Sequence, residues 1–173
     1  MTPALKIEID RGALIGAEPM QIRQAIVADV PQLAILYYDT VSQHGPTYYT
    51  AHQTQAWANF VTDAESFRRF ILDVRTYIAE ESGIRLGFGG ISPAGRITSL
   101  YVHRAHLGEG IGSRLLQHLI AQAEGDQMPR LYAEASRFSL GLFEKFGFRQ
   151  YDIETVERSG VLFERYLVEK WLH

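Results

Sequence analysis

The chain has 173 residues, enough for one domain with its own core, and its 46% hydrophobic and 21% charged residues are ordinary globular proportions that exclude a disordered chain. A net charge of -3 offers no broad basic face for nucleic acid, and the lack of cysteine removes disulfides, thiolate nucleophiles and cysteine-ligated zinc. No stretch approaches the roughly 20 apolar residues of a membrane span, and residues 1–19 lack the basic start and apolar middle of a secretion leader, so no membrane contact and a cytoplasmic location are expected.

Residues 1–19 read as an N-terminal extension, with a strand from Ala4 to Ile9, and residues 20–173 as a single domain. Gln21–Ile26 alternates as a first strand. Asp29, with Gln32 at capping-box spacing, predicts the start of a helix whose apolar stripe is Val30, Leu33, Ala34, Tyr37 and Val41. A loop from Ser42 to Tyr49 follows. Thr50 with Gln53 and Thr62 with Glu65 are further capping boxes, opening short helices over Ala51–Phe60 and Asp63–Asp73. Arg75–Glu81, Ile84–Ile91 and Arg96–His103 are strand-like, with turn residues Ser82-Gly83 and Pro93-Ala94-Gly95 between them, which predicts an antiparallel meander. A glycine-rich turn then opens a helix from Gly110 to Glu124. Leu131–Glu134 reads as a strand and Phe138–Phe146 as a short helix ended by Gly147. Two final strands, Phe148–Glu157 and Val161–Leu172, turn at Ser159-Gly160. This order predicts an α+β (mixed α/β) fold, a mixed sheet flanked by helices rather than a regular βαβ repeat.

The glycine turn carries the most chemistry. Gly108, Gly110 and Gly112 alternate after a strand and at the start of a helix. Missing side chains let a polyphosphate approach the backbone, and the free amides and dipole of the first helical turn favour it. Gly112 is followed by Ser113 and Arg114, not by the Lys-Ser/Thr of a P-loop. The spacing is not the G-x-G-x-x-G of a dinucleotide site either. A flexible loop leading into a helix stays open as the bland alternative.

The run Leu100-Tyr101-Val102-His103-Arg104-Ala105-His106-Leu107-Gly108-Glu109-Gly110-Ile111-Gly112-Ser113-Arg114-Leu115-Leu116 resembles motif A of the GNAT acetyltransferase superfamily. Leu142-Phe143-Glu144-Lys145-Phe146-Gly147-Phe148 resembles that family's second motif, and Tyr49 with Gln53, Ala56, Trp57 and Ala58 resembles the Tyr…Gln-x-x-Ala-Trp-Ala segment of one subgroup. In element order the likeness runs from Gln21 to Leu172. It implies the GNAT fold, a twisted mixed sheet of about six to seven strands. It also implies acetyl-CoA as cosubstrate, no metal, and transfer of the acetyl group directly to an amine of a small molecule or peptide.

By this resemblance the strands beside the glycine helix splay, and the pantetheine arm of coenzyme A enters the gap. Backbone groups of Leu100, Tyr101 and Val102 hold the arm, and a backbone N–H near Val102 stabilises the oxyanion. Leu107, Gly108, Glu109, Gly110, Ile111, Gly112 and Ser113 hold the pyrophosphate, and Phe143 lines the donor site. Leu107 stands where the family usually has Arg or Gln, so the grip rests on amides, with Arg104 or Arg114 as side-chain substitutes. Phe143 stands where many members place a tyrosine that protonates the leaving thiolate. That substitution leaves a second reading, an acyl-CoA-binding protein without catalysis in a regulatory or interaction role.

An amine of pKa about 10.4 must lose a proton before it reacts. Glu134 is the first candidate to take it, ahead of Tyr132, Tyr101 and His103. Tyr132, Ser136 or water is a candidate acid. His44, Tyr48, Tyr49 and Trp57 form a candidate acceptor wall, the alternative being that Trp57 and Phe60 simply pack a helix onto the sheet. The six histidines show no metal spacing. The mild negative charge points to a cationic acceptor, and the apolar run ending at Trp171 and Leu172 is a candidate surface for a homodimer.

Overall fold

The computed structural model describes residues 18–173, so the expected strand from Ala4 to Ile9 lies outside the described residues. The meander forms as the turn chemistry predicts. Strands β2 (Arg75–Glu81), β3 (Ile84–Ile91) and β4 (Ile97–Val102) pair antiparallel, and β1 (Gln21–Gln24) adds to β2. Ser82 and Gly83 both take positive φ, 49° and 77°. That matches a two-residue hairpin turn whose twist suits the flanking strands. The second sheet orders β5 (Arg130–Ala135), β7 (Val161–Trp171) and β6 (Arg149–Arg158), and Ser159-Gly160 repeats the same turn at φ 51° and 75°. Strand β7 is therefore central, paired to β6 from Val161 to Glu169 and to β5 from Tyr166 to Trp171. The outer edge of β6 has no partner strand among the described residues.

Helices α1 (Val30–His44), α2 (Ala51–Ala58) and α3 (Ala64–Leu72) lie between β1 and β2 in sequence, and α4 (Ile111–Gly125) and α5 (Leu140–Lys145) flank β5. Strand alternation divides the core between them. Ile78 and Phe88 face α1 and α3, packing on Leu33, Tyr37, Phe67 and Ile71. Leu131 and Ala133 face α4, packing on Leu116 and Leu119. The same alternation turns Glu134 away from α4. Helix α5 ends as expected: Gly147 (φ 81°) follows it, Phe148 N–H donates to Phe143 O and Gly147 N–H to Glu144 O, both at 3.0 Å.

Of the expected caps, Thr50–Gln53 forms with both reciprocal hydrogen bonds, at 3.1 and 2.9 Å. The other two do not. Asp63, not Thr62, caps α3, accepting Ser66 N–H at 3.0 Å, while the Thr62 hydroxyl donates to Asn59 O. Asp29 makes no side-chain cap to α1. It is 1% exposed, and its carboxylate accepts from Arg23 at 2.8 Å, from Arg85 at 3.0 Å and from Ile26 N–H at 2.9 Å. The ion pairs take the oxygens that a cap would use.

The two sheets meet at one place. Arg96 and Tyr132 form a parallel bridge, and Tyr132 N–H donates to Gly95 O at 3.0 Å. Past that point β4 and β5 share no ladder among the described residues, and the Val102 carbonyl instead accepts from the Thr40 hydroxyl of α1 at 2.9 Å. The strands diverge into a V, closed at Arg96 and open toward the glycine turn.

Candidate active site

The glycine turn is built for an open backbone. Gly108 and Gly110 take φ of 80° and 81°, a conformation that side chains resist, and no heavy atom lies within 4 Å of where either Cβ would stand. Gly112 serves packing: a Cβ there would sit 3.2 Å from Leu142 and 3.5 Å from Val102. Arg114 N–H reaches Gly110 O at 3.1 Å, whereas the amides of Ile111, Gly112 and Ser113 find no acceptor among the described residues. Three free donors thus stand at the positive end of a 15-residue helix. These residues fit a pyrophosphate.

Side chains contribute little to that grip. Leu107 is 45% exposed at the rim, and the Glu109 carboxylate turns to His106 Nδ1 at 2.9 Å. Neither expected arginine substitute is free. Arg104 pairs with Asp39 and Gln43, and Arg114 donates to Met20 O. His106 lines the cleft beside the turn instead.

A cleft of 1130 Å³ runs from the turn through the V to an aromatic pocket on the α1–α2 side. His103 N–H donates to Leu86 O, so alternation directs the peptide groups of Leu100 and Val102 into the gap. Tyr101 departs from expectation here. Its peptide group faces β3, and it offers the cleft its side chain. Phe143 lines the other wall, buried, with its ring 5.0 Å from Phe148, and brings no hydroxyl.

The aromatic pocket joins residues far apart in sequence. The Trp57 indole N–H donates to the Tyr101 hydroxyl at 3.2 Å, and Tyr37 donates to Trp57 O at 3.1 Å. Tyr49 sits edge-on to Trp57 at 5.3 Å and accepts Arg137 N–H. Burial pushes the Tyr37, Tyr49 and Tyr101 hydroxyls above their ordinary pKa, so each stays protonated and none is a ready base. Trp57 both packs the helix and lines the cleft.

The remaining candidates separate. His44 lines the cleft, with Nε2 3.1 Å from Arg104 O. Tyr48 does not; it is 50% exposed and stands against Phe138. Tyr132 also lies off the cleft lining, under the Arg130 guanidinium at 4.9 Å, at the closed end of the V. Glu134 does line the cleft, with Oε2 3.0 Å from Arg96 Nε and no partner on Oε1 among the described residues. No group of three or more metal-ligating side chains occurs among the described residues, and no described helix is long and apolar enough to cross a membrane. The β6–β7 hairpin brings Arg158 and Phe163 to the cleft, and the segment before α5 brings Phe138. Sequence reasoning missed all three, since only the docking of the hairpin and of α5 puts them there.

The family model for the acetyltransferase (GNAT) domain matches residues 45–170. A solved GCN5-related N-acetyltransferase from Rhodopseudomonas palustris, also described as a class-II aminotransferase, superposes with a TM-score of 0.86 at 24% identity, over 92% of this chain and 100% of its own. The PaiA N-acetyltransferase of Thermoplasma acidophilum, solved in complex with coenzyme A, gives 0.72 at 15% identity over 88% and 98%. A ribosomal-protein-alanine N-acetyltransferase from Brucella melitensis gives 0.66 at 24% identity over 88% and 99%. At these identities the likeness is one of fold. No curated protein matches the chain. With the family model covering most of its length and the splayed strands and glycine turn in place, the chain belongs to the GNAT acetyltransferase family.

Proposed function

We propose that the protein is an N-acetyltransferase that passes an acetyl group from acetyl-CoA directly to an amine. The observation that carries this reading is continuity: one cleft joins the free amides of the glycine turn to the aromatic pocket through the gap between β4 and β5. The amides of Ile111, Gly112 and Ser113 bind the pyrophosphate, and the peptide groups of Leu100 and Val102 line the path of the pantetheine arm. Bound acetyl-CoA supplies an activated thioester, whose C–S bond breaks as the amine nitrogen forms the C–N bond, the amine losing a proton and the sulfur leaving as thiolate. The Val102 N–H, fixed on a strand edge, faces the charge that develops on the carbonyl oxygen.

Glu134 takes the amine proton, directly or through water, with Arg96 holding one carboxylate oxygen and leaving the other open. A thiol of pKa about 8.5 leaves largely as thiolate, so Phe143 does not stop the reaction. The absent hydroxyl at Phe143 is also what favours the second reading, a coenzyme A binder without turnover. Thiol release from acetyl-CoA across an amine panel decides between them. Glu134→Gln is expected to lower kcat about 100-fold, and an unchanged kcat removes Glu134 from the role. Coenzyme A binding without thiol release from any amine favours the binder.

A further inference from the structure

The aromatic half of the cleft carries an observation about the acceptor. Arg158 ends β6 beside the Ser159-Gly160 turn, whose two left-handed residues fix the hairpin tip. It lines the cleft together with Arg69, Arg96 and Arg165. Those three are each ion-paired, with Glu65, Glu134 and Glu154. Among the described residues the Arg158 guanidinium has neither an ion pair nor a hydrogen bond. Trp57, Tyr49 and Phe138 line the same cleft as Arg158.

The floor of the cleft carries unpaired polar groups as well. Ser99 is 6% exposed, and its Oγ, with Thr98 Oγ1, is buried without a hydrogen-bond partner. Both residues line the same cleft. A bulge in β4 leaves Thr98 unpaired, and both hydroxyls come against Gly90, where a Cβ would stand 2.6 and 2.9 Å from them. Unpaired buried hydroxyls cost stability unless something bonds them. A free guanidinium and an aromatic wall thus line one cleft.

We propose that the acceptor is an α-amino acid with an aromatic or apolar side chain, its carboxylate held by Arg158 and its side chain against Trp57, Tyr49 and Phe138. One planar guanidinium suits one carboxylate, bound through two parallel N–H donors. Net charge had pointed to a cationic acceptor, but net charge does not describe a cleft lined both by the unpaired Arg158 and by the Glu164 carboxylate, which accepts from the Tyr166 hydroxyl at 3.1 Å. This inference rests on the proposed acetyl transfer.

The test uses matched acceptors: L-phenylalanine, L-tyrosine, L-methionine and L-leucine, each against the amine lacking its carboxylate. Thiol release from acetyl-CoA is expected to favour at least one amino acid over its twin by about tenfold to a hundredfold in kcat/KM, the range of a charged hydrogen-bonded contact. Arg158→Gln is expected to bring that ratio near one, acting through KM. Twins used equally well, or a ratio untouched by Arg158→Gln, overturns the proposal. Coenzyme A binding is measured separately. If coenzyme A binds and no amine is acylated, the transfer reading has failed, and calorimetry of the four amino acids on the coenzyme A-loaded protein decides. Binding that is lost in Arg158→Gln supports the carboxylate site, and absence of binding overturns it.

Discussion

Replacing Gly110 by alanine separates what this glycine does for the fold from what it does for a ligand. At φ 81° an L residue costs about 1–2 kcal/mol. No atom lies within 4 Å of the new methyl, so no steric clash adds to that cost. For a chain of this size the loss lowers Tm by roughly 2–8 °C. Gly83 is the matched control: φ 77°, nothing within 4 Å, but on the β2–β3 turn away from the cleft. Both variants should lose similar stability. Only Gly110→Ala puts a methyl where a phosphate would meet the amides of α4, and a lost charge-assisted hydrogen bond weakens binding about tenfold to a hundredfold. Coenzyme A at 100 times its Kd stabilises the native state by about 2.7 kcal/mol, roughly 5–10 °C here. Melting curves across a coenzyme A titration read both quantities. Equal coenzyme A affinity in Gly110→Ala, Gly83→Ala and the parent would refute the backbone grip.

The buried Asp29 predicts a pH-dependent stability. Hydrogen bonds from Arg23, and then from Ile26 N–H and Arg85, hold its carboxyl well below the usual range. The contribution is full above the ordinary carboxyl pKa of about 3.9 and is lost as pH falls through the lower folded value. Asp29→Asn should cost about 3 kcal/mol at pH 7, since it leaves two guanidinium groups without their buried anion. The gap from the parent should narrow in urea melts toward pH 2, and a gap constant with pH would contradict the assignment. Thr50→Ala should remove the formed capping box and cost about 1 kcal/mol in the same assay, and no loss would mean that α2 is held by packing alone.

What could be read in advance follows the range of the interactions. Turns such as Ser82-Gly83 and Ser159-Gly160, the cap at Thr50 and the left-handed glycines Gly108 and Gly110 are decided within a few residues, so their residue types announce them. Asp29 looked like a cap because Gln32 follows it, but Arg85 claims its carboxylate from 56 residues away. Thr62 lost its cap to the neighbouring Asp63, a better-placed acceptor for Ser66. Strand alternation also has a limit. It put Tyr132 and Glu134 on one face, yet the closed end of the V takes Tyr132 and the open part takes Glu134. Arg158 and Phe163 carried no local signal, because the β6–β7 hairpin meets the cleft only through tertiary packing, including the bond from Gln53 to Leu162 O.

The proposed acetyl transfer requires that the glycine turn and the splayed strands form a coenzyme A site. Isothermal calorimetry of coenzyme A into the full chain tests it most directly. Saturable binding at one site per chain is expected. No heat and no saturation at millimolar coenzyme A would contradict it.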